Sequence, residues 1–158
     1  AQDGATTVIV VRHAERAAGD DADPPLSEAG HERARALLDV AARAGVEAVY
    51  TTQYRRTRET AVPLATALGV DITIVEVQPG QGEQHARELA QRILNEQRGR
   101  VVLVVGHSNT APLIVQALGA GPVPQLGESA YDNLYLVTVL RDGTARLIHA
   151  RYGAQDPS

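Results

Sequence analysis

The chain has 158 residues, of which 44% are hydrophobic, and it carries a formal net charge of -4 at pH 7. This length favours one domain over residues 1–158 with a sizeable core, and the negative charge argues against nucleic-acid binding. No apolar run is long enough to cross a bilayer, and the absence of Cys excludes disulfides and thiol catalysis.

The first predicted element is a buried strand at Thr6–Val11, an apolar run that ends abruptly at Arg12-His13. The next segment, Ala17–Pro25, contains Gly, Asp and Pro, which predicts a surface loop. Its acidic residues lack the spacing of a calcium loop, so we expect a solvated turn there rather than a metal site. Ser27 is expected to cap a helix that continues to Ala44.

Alternating and amphipathic patterns predict the remaining elements. Strands are predicted at Ala48–Tyr50, Asp71–Val77, Val101–Val105, Leu134–Leu140 and Ala145–Arg151. Helices are predicted from Tyr54 to Gly69, from Glu83 to Gln97 and from Ala111 to Leu118, the last capped by Ser108 or Asn109. Asp142-Gly143 predicts a hairpin between the last two strands. This order indicates an α/β fold, a three-layer α/β/α sandwich with a mostly parallel sheet and an antiparallel edge.

Two of the predicted strands end in histidine, one at Arg12-His13 and one at Gly106-His107. Open α/β sheets bind ligands at the carboxyl ends of their strands. Arginine holds anions through its forked donors, and histidine can act as a nucleophile or base near neutral pH. The two strand ends therefore predict one site that contains both histidines.

Three motifs in order carry a family resemblance: Arg12-His13, then Arg56 within Thr51–Ala61, then Gly106-His107. Together they resemble the histidine phosphatase superfamily, the phosphoglycerate-mutase-like group. The resemblance runs from about Thr6 to about Tyr152. One departure lies in the first motif, where Ala14 replaces the usual Gly. The short chain is most similar to the small phosphatase branch, which includes bacterial phosphohistidine phosphatases.

The resemblance implies a phosphatase that hydrolyses phosphomonoesters through a phosphohistidine intermediate on His13. It implies four catalytic and phosphate-binding residues, Arg12, His13, Arg56 and His107. The expected substrate is a small phosphorylated molecule or a phosphohistidine protein, and no cofactor is expected. Alternatives are a phosphohistidine-protein phosphatase, a phosphoglycerate-type mutase and a non-catalytic phosphate-binding protein. A metalloenzyme is disfavoured, because no His-x-x-x-His spacing occurs.

The proton donor for the leaving group stays open at this point. Mutase-like members of the superfamily use a Glu from the loop after the third strand, and the matching region here offers Glu83 and His85. Glu15, just after the first motif, is the next candidate. The loops Ala17–Pro25 and Val77–Gly82 are both expected to border an open pocket.

The chain begins at Ala1-Gln2-Asp3 without Met, and residues 1–5 are expected to be a frayed terminus. This start resembles that of an exported or periplasmic protein after signal-peptide removal, and a cytoplasmic location is the alternative. We expect no nucleic-acid or membrane partner. The sequence alone decides neither the oligomeric state nor the physiological substrate.

Overall fold

A computed structural model describes residues 4–156, so residues 1–3 of the expected frayed terminus lie outside the described part of the chain. Strands and helices alternate until a final pair of strands. The elements are β1 (Thr6–Arg12), α1 (Glu28–Ala41), β2 (Val46–Thr51), α2 (Arg55–Leu68), β3 (Ile72–Ile74), α3 (Gly82–Glu96), β4 (Val101–Gly106), α4 (Thr110–Ala117), β5 (Asn133–Val139) and β6 (Ala145–Arg151).

The six strands form one sheet in the order β3-β2-β4-β1-β5-β6. Neighbours among β3, β2, β4 and β1 are parallel, whereas β5 and β6 run antiparallel. Thr7 pairs with Val101 and Arg12 pairs with Gly106, so β1 and β4 end level with each other. The two predicted histidine-bearing strands are thus adjacent and in register.

The central strands β1 and β4 are buried on both faces, as expected for β1 with its continuous apolar run. Val8 and Val10 pack with residues of α3 and α4, whereas Ile9 and Val11 pack with residues of α1 and α2. Successive side chains of a strand point to opposite faces, which places one helical layer on each side. The predicted three-layer α/β/α class is confirmed.

Two elements are shorter than predicted. The first helix ends at Ala41 rather than Ala44. The third strand stops at Ile74, and beyond it the backbone of Val77 exchanges two hydrogen bonds with the side chain of Gln53, at 2.9 and 3.0 Å. A side chain therefore takes over from the strand ladder, because no neighbouring strand continues there to pair with it.

The expected side-chain caps at the start of α4 are wrong. Neither Ser108 nor Asn109 caps the helix with its side chain. Instead, the hydroxyl of Thr110 accepts a hydrogen bond from the backbone N–H of His107 at 2.8 Å. A Cβ added to Gly106 would lie 2.9 Å from this hydroxyl oxygen, so the close approach of strand to helix here requires glycine.

Candidate active site

A cleft of about 650 Å³ opens where β1 and β4 end. Four residues that the sequence predicted for the site line it together, namely Arg12, His13, Arg56 and His107. Arg12 and His13 come from the end of β1, His107 follows β4, and Arg56 lies in the first turn of α2. The parallel topology thus brings residues from three distant parts of the sequence to one edge of the sheet.

The two histidines are held side by side by the backbone. The N–H of His13 donates to the carbonyl oxygen of Gly106 at 2.8 Å, one residue before His107. Their ring centroids lie 5.4 Å apart with the planes inclined by 65°. A small group bound between them can therefore reach both rings.

The hydrogen bonding of His13 fixes its tautomer. Its Nδ1 lies 2.8 Å from the carbonyl oxygen of Ala14, and because a carbonyl only accepts, Nδ1 carries the proton. Burial of the ring lowers the pKa of His13 to about 3, and the neighbouring His107, Arg12 and Arg56 lower it further against the effect of this hydrogen bond. At neutral pH the ring is uncharged, and Nε2 holds the free lone pair.

His107 is also neutral in the unliganded cleft. Burial lowers its pKa to about 3, with additional contributions from Arg56, His85 and Arg12. Its Nε2 lies 2.9 Å from the hydroxyl oxygen of Thr52. At neutral pH the ring of His107 is therefore uncharged, like that of His13.

Arg12 is anchored by a segment far along the chain. One end nitrogen, Nη1, donates to the carbonyl oxygens of Gly127, Glu128 and Ala130 at 3.0 to 3.1 Å. The guanidinium carbon lies 4.0 Å from the centroid of the Tyr131 ring. The Nε atom of Arg12 is buried without a hydrogen-bond partner among residues 4–156, which leaves an unused donor in the cationic group.

Arg56 is held more loosely. Its guanidinium carbon lies 4.4 Å from the centroid of the Tyr54 ring, and its Nη1 lies 4.0 Å from a carboxylate oxygen of Asp23. Like Arg12, it has a buried Nε with no partner in the described chain. The neighbouring Arg55 pairs instead with Glu59 at 2.9 Å, away from the cleft.

The three acid candidates are placed differently. Glu83 is exposed and lines the cleft, in the first turn of α3. His85 is buried, does not line the cleft, and has its Nδ1 3.2 Å from the carbonyl oxygen of Glu76. Glu15 is held by two hydrogen bonds from Arg33, at 2.8 and 3.0 Å. Glu83 is therefore the one candidate of the three that lines the cleft.

The two loops expected to border the pocket behave differently. Residues of Val77–Gly82 line the cleft, whereas none of Ala17–Pro25 does. An isolated bridge between Arg16 and Leu26 closes the base of the loop Ala17–Pro25, whose Asp23 lies 4.0 Å from Arg56 Nη1. Gln125, from the segment after α4, lines the cleft instead.

Several site residues were not predicted from the sequence. Tyr54 contacts both Arg56 and His107: its ring centroid lies 4.4 Å from the guanidinium carbon of Arg56 and 5.4 Å from the ring centroid of His107. Its sequence position close to Arg56 was the only available signal. Tyr131 lies 6.1 Å from His13 between ring centroids. It is more than a hundred residues away from Arg12 in sequence, so no local pattern indicates it.

The substitution of alanine for glycine in the first motif is accommodated without strain. The backbone of Ala14 does not adopt a positive φ, so glycine is not required for conformational reasons. Its N–H donates to the hydroxyl oxygen of Thr60 at 2.8 Å, and the side chain is fully buried. Ala14 thus ties the end of β1 to α2, which carries Arg56.

Residues 8–80 match the sequence model of the histidine phosphatase superfamily (branch 1). The match includes Arg12, His13 and Arg56 but ends before His107. No curated protein sequence matches the chain. Among residues 4–156, no group of three His, Cys, Asp or Glu side chains is placed to hold a metal ion, and no helix is long and apolar enough to span a membrane.

Several solved structures share the fold along nearly the whole chain. A mycobacterial glucosyl-3-phosphoglycerate phosphatase is 16% identical with a TM-score of 0.69, over 96% of this chain and 100% of that one. The protein histidine phosphatase SixA, complexed with tungstate, is 22% identical with a TM-score of 0.69, over 92% and 96%. YhfR of Bacillus stearothermophilus is 20% identical with a TM-score of 0.71, over 90% and 95%. The sequence of residues 8–80 is thus similar to the histidine phosphatase superfamily, and the chain shares its fold with solved structures of phosphatases.

Proposed function

We propose that the chain is a phosphatase that hydrolyses phosphomonoesters through a phosphohistidine intermediate on His13. The observation that carries this proposal is the hydrogen bond from His13 Nδ1 to the carbonyl oxygen of Ala14. It leaves Nε2 as the nucleophilic atom, in a ring whose lowered pKa keeps it neutral. Histidine in this state is a competent nucleophile without a separate base.

In the first step, Nε2 of His13 attacks phosphorus as the bond from phosphorus to the leaving oxygen breaks. The leaving alkoxide takes a proton from Glu83, the acid candidate that lines the cleft. In the second step, water attacks the phosphorus, gives a proton back to Glu83, and the phosphorus–nitrogen bond breaks. His13 returns to its neutral state and inorganic phosphate leaves.

Charge in the transition state is matched by Arg12 and Arg56, whose Nε donors have no hydrogen-bond partner among residues 4–156. Phosphoryl transfer depends mainly on such positioning and electrostatic stabilisation. The arriving phosphoryl group also brings negative charge beside His107, which raises the pKa of that ring from its low value in the unliganded cleft. His107 then becomes a further cationic donor in the complex.

Oxyanion binding by proteins of this fold supports the proposal. SixA was solved with tungstate, and the mycobacterial phosphatase with inorganic phosphate. Both ions present tetrahedral oxygens like those of a phosphoryl group. We therefore expect vanadate and phosphate to inhibit the protein competitively by binding between Arg12, Arg56 and the two histidines.

A second candidate is a phosphatase of phosphohistidine proteins. It is favoured by the exposure of Glu83, the only carboxylate among the residues that line the cleft in the described chain. A phosphorylated imidazole is a better leaving group than an alkoxide, so it makes smaller demands on an exposed acid. The similarity to SixA, described as a protein histidine phosphatase, agrees with this candidate.

The test is hydrolysis of a panel of aryl and alkyl phosphates and of a phosphohistidine peptide, each with and without EDTA. We expect turnover of several phosphomonoesters, inhibition by vanadate and no effect of the chelator. His13→Ala, compared at equal helical content by circular dichroism, should be inactive on every substrate. Full activity of this variant, or activity that is lost with EDTA and restored by zinc, would exclude the proposed mechanism.

A further inference from the structure

Arg16 lines the cleft, yet the proposed reaction has no use for it. The residue is exposed and contributes a third cationic side chain beside Arg12 and Arg56. Its charge acts on both neighbours, since it is among the causes that lower the pKa of each guanidinium group. Three arginines therefore face one cleft in a chain whose net charge is -4.

The backbone fixes the position from which Arg16 extends. Arg16 forms an isolated antiparallel bridge with Leu26. On either side of this bridge, Ala17 donates to the carbonyl oxygen of Pro25 at 2.8 Å and Ser27 donates to that of Glu15 at 2.9 Å. Arg16 is thus carried by a short hydrogen-bonded ribbon at the mouth of the cleft rather than by the tip of the loop.

The charges of the proposed complex leave no negative group for Arg16 to bind. A bound phosphomonoester carries about -2, which Arg12, Arg56 and the protonated His107 already offset. Asp23 lies near Arg56, and no carboxylate of residues 4–156 forms an ion pair with Arg16. An exposed arginine at the rim of such a cleft attracts a further negative group.

We propose that Arg16 forms a second anion subsite, which selects phosphomonoesters that carry another anionic group, such as a carboxylate, beside the reacting phosphoryl group. This inference rests on the phosphatase function proposed above and narrows its substrate class. Arginine suits the role because its fork binds a carboxylate through two parallel hydrogen bonds. The open cleft leaves room for the substrate body that joins the two anions.

Binding of non-hydrolysable phosphonates tests the subsite without depending on turnover. Calorimetry would compare phenylphosphonate with its 2-, 3- and 4-carboxy derivatives on the wild type, Arg16→Gln and Arg35→Gln. Arg35 is an exposed arginine of α1 outside the cleft, so its variant makes the same change in net charge. We expect at least one carboxy isomer to bind about tenfold more tightly than phenylphosphonate, as one added charge-assisted hydrogen-bonded pair provides.

Arg35→Gln should keep this preference, whereas Arg16→Gln should reduce it to less than about twofold. Equal affinities for all four phosphonates in the wild type, no binding of any of them, or a preference that survives Arg16→Gln would overturn the subsite. Hydrolysis of phenyl phosphate by the wild type is measured in parallel. Turnover without a carboxylate preference would reject the subsite and leave the phosphatase function standing.

Discussion

The carboxylate of Asp156 accepts hydrogen bonds from the backbone N–H of Tyr131, with both oxygens at 3.0 Å. It accepts further bonds from the N–H of Asp132 at 3.1 and 3.2 Å. These bonds fix the end of the segment whose carbonyl groups hold Arg12. A residue at the far end of the chain thus supports the cationic group at the end of β1.

We therefore expect Asp156→Ala to weaken oxyanion binding through Arg12. Inhibition by vanadate should become about tenfold weaker, the size expected when one set of charge-assisted hydrogen bonds is lost. The matched control is Asp142→Ala, since Asp142 accepts a backbone N–H from Thr144 in the exposed hairpin turn, outside the cleft. Both variants should lose some thermal stability, but only Asp156→Ala should lose vanadate affinity. Equal vanadate inhibition of the two variants would show that Asp156 has a structural role only.

The phosphorylated atom of His13 is a separate prediction. Because Nδ1 donates to Ala14, we expect the phosphoryl group on Nε2, and rapid quenching during turnover followed by ³¹P NMR or mass spectrometry should identify that isomer. His13→Asn should reduce turnover by at least about 10³-fold, because the nucleophile is lost. Phosphate on Nδ1 would contradict the assigned tautomer.

The sequence was informative where a local pattern specifies structure. The apolar runs before Arg12 and Gly106 predicted two buried strands, which the structure pairs with each other. Gly69, with a φ of 66°, ends α2 as its sequence position suggested. The sequence was uninformative where the site depends on contacts between distant residues. Tyr131 contacts Arg12 only because β5 pairs with β1, and no periodicity carries that information.

The acid candidates illustrate the same limit. Glu83 and His85 are two positions apart, and both fell in the region that the family resemblance indicated. On a helix, residues two apart lie on different faces, so only the fold decides which one reaches the cleft. The structure turns His85 towards the core and leaves Glu83 at the rim.

Acid should destabilise the protein through His13 and His107. Their pKa values are about 3 in the folded state and near 6.5 in the unfolded chain, so the unfolded state binds more protons between these values. Stability is therefore present above about pH 6.5 and decreases as the pH falls towards about 3. Urea unfolding at about pH 7.5 and pH 5 in phosphate-free buffer measures the decrease.

The double variant His13→Asn, His107→Asn should lose a smaller part of its unfolding free energy over this interval. His31→Asn, a change of an exposed histidine on α1, should behave like the wild type. The buffer must lack oxyanions, because a bound anion would raise the pKa of both site histidines and mask the effect. An equal decrease in the double variant would mean that other groups govern the acid sensitivity.

The last prediction separates the two acid candidates by substrate. If Glu83 protonates the leaving oxygen, Glu83→Gln should slow alkyl phosphates by about 10²–10⁴-fold. It should slow p-nitrophenyl phosphate far less, because that leaving group departs without a proton. His85→Ala should slow both substrates by similar, small factors, since its ring lies outside the cleft.

Glu88→Gln provides the control, as Glu88 is an exposed carboxylate of the same helix that does not line the cleft. A selective loss of alkyl phosphate hydrolysis in His85→Ala, with Glu83→Gln unaffected, would reverse the assignment. Equal effects of Glu83→Gln on both substrates would remove Glu83 from the mechanism. They would favour substrates such as phosphohistidine, whose leaving group departs without a proton donor.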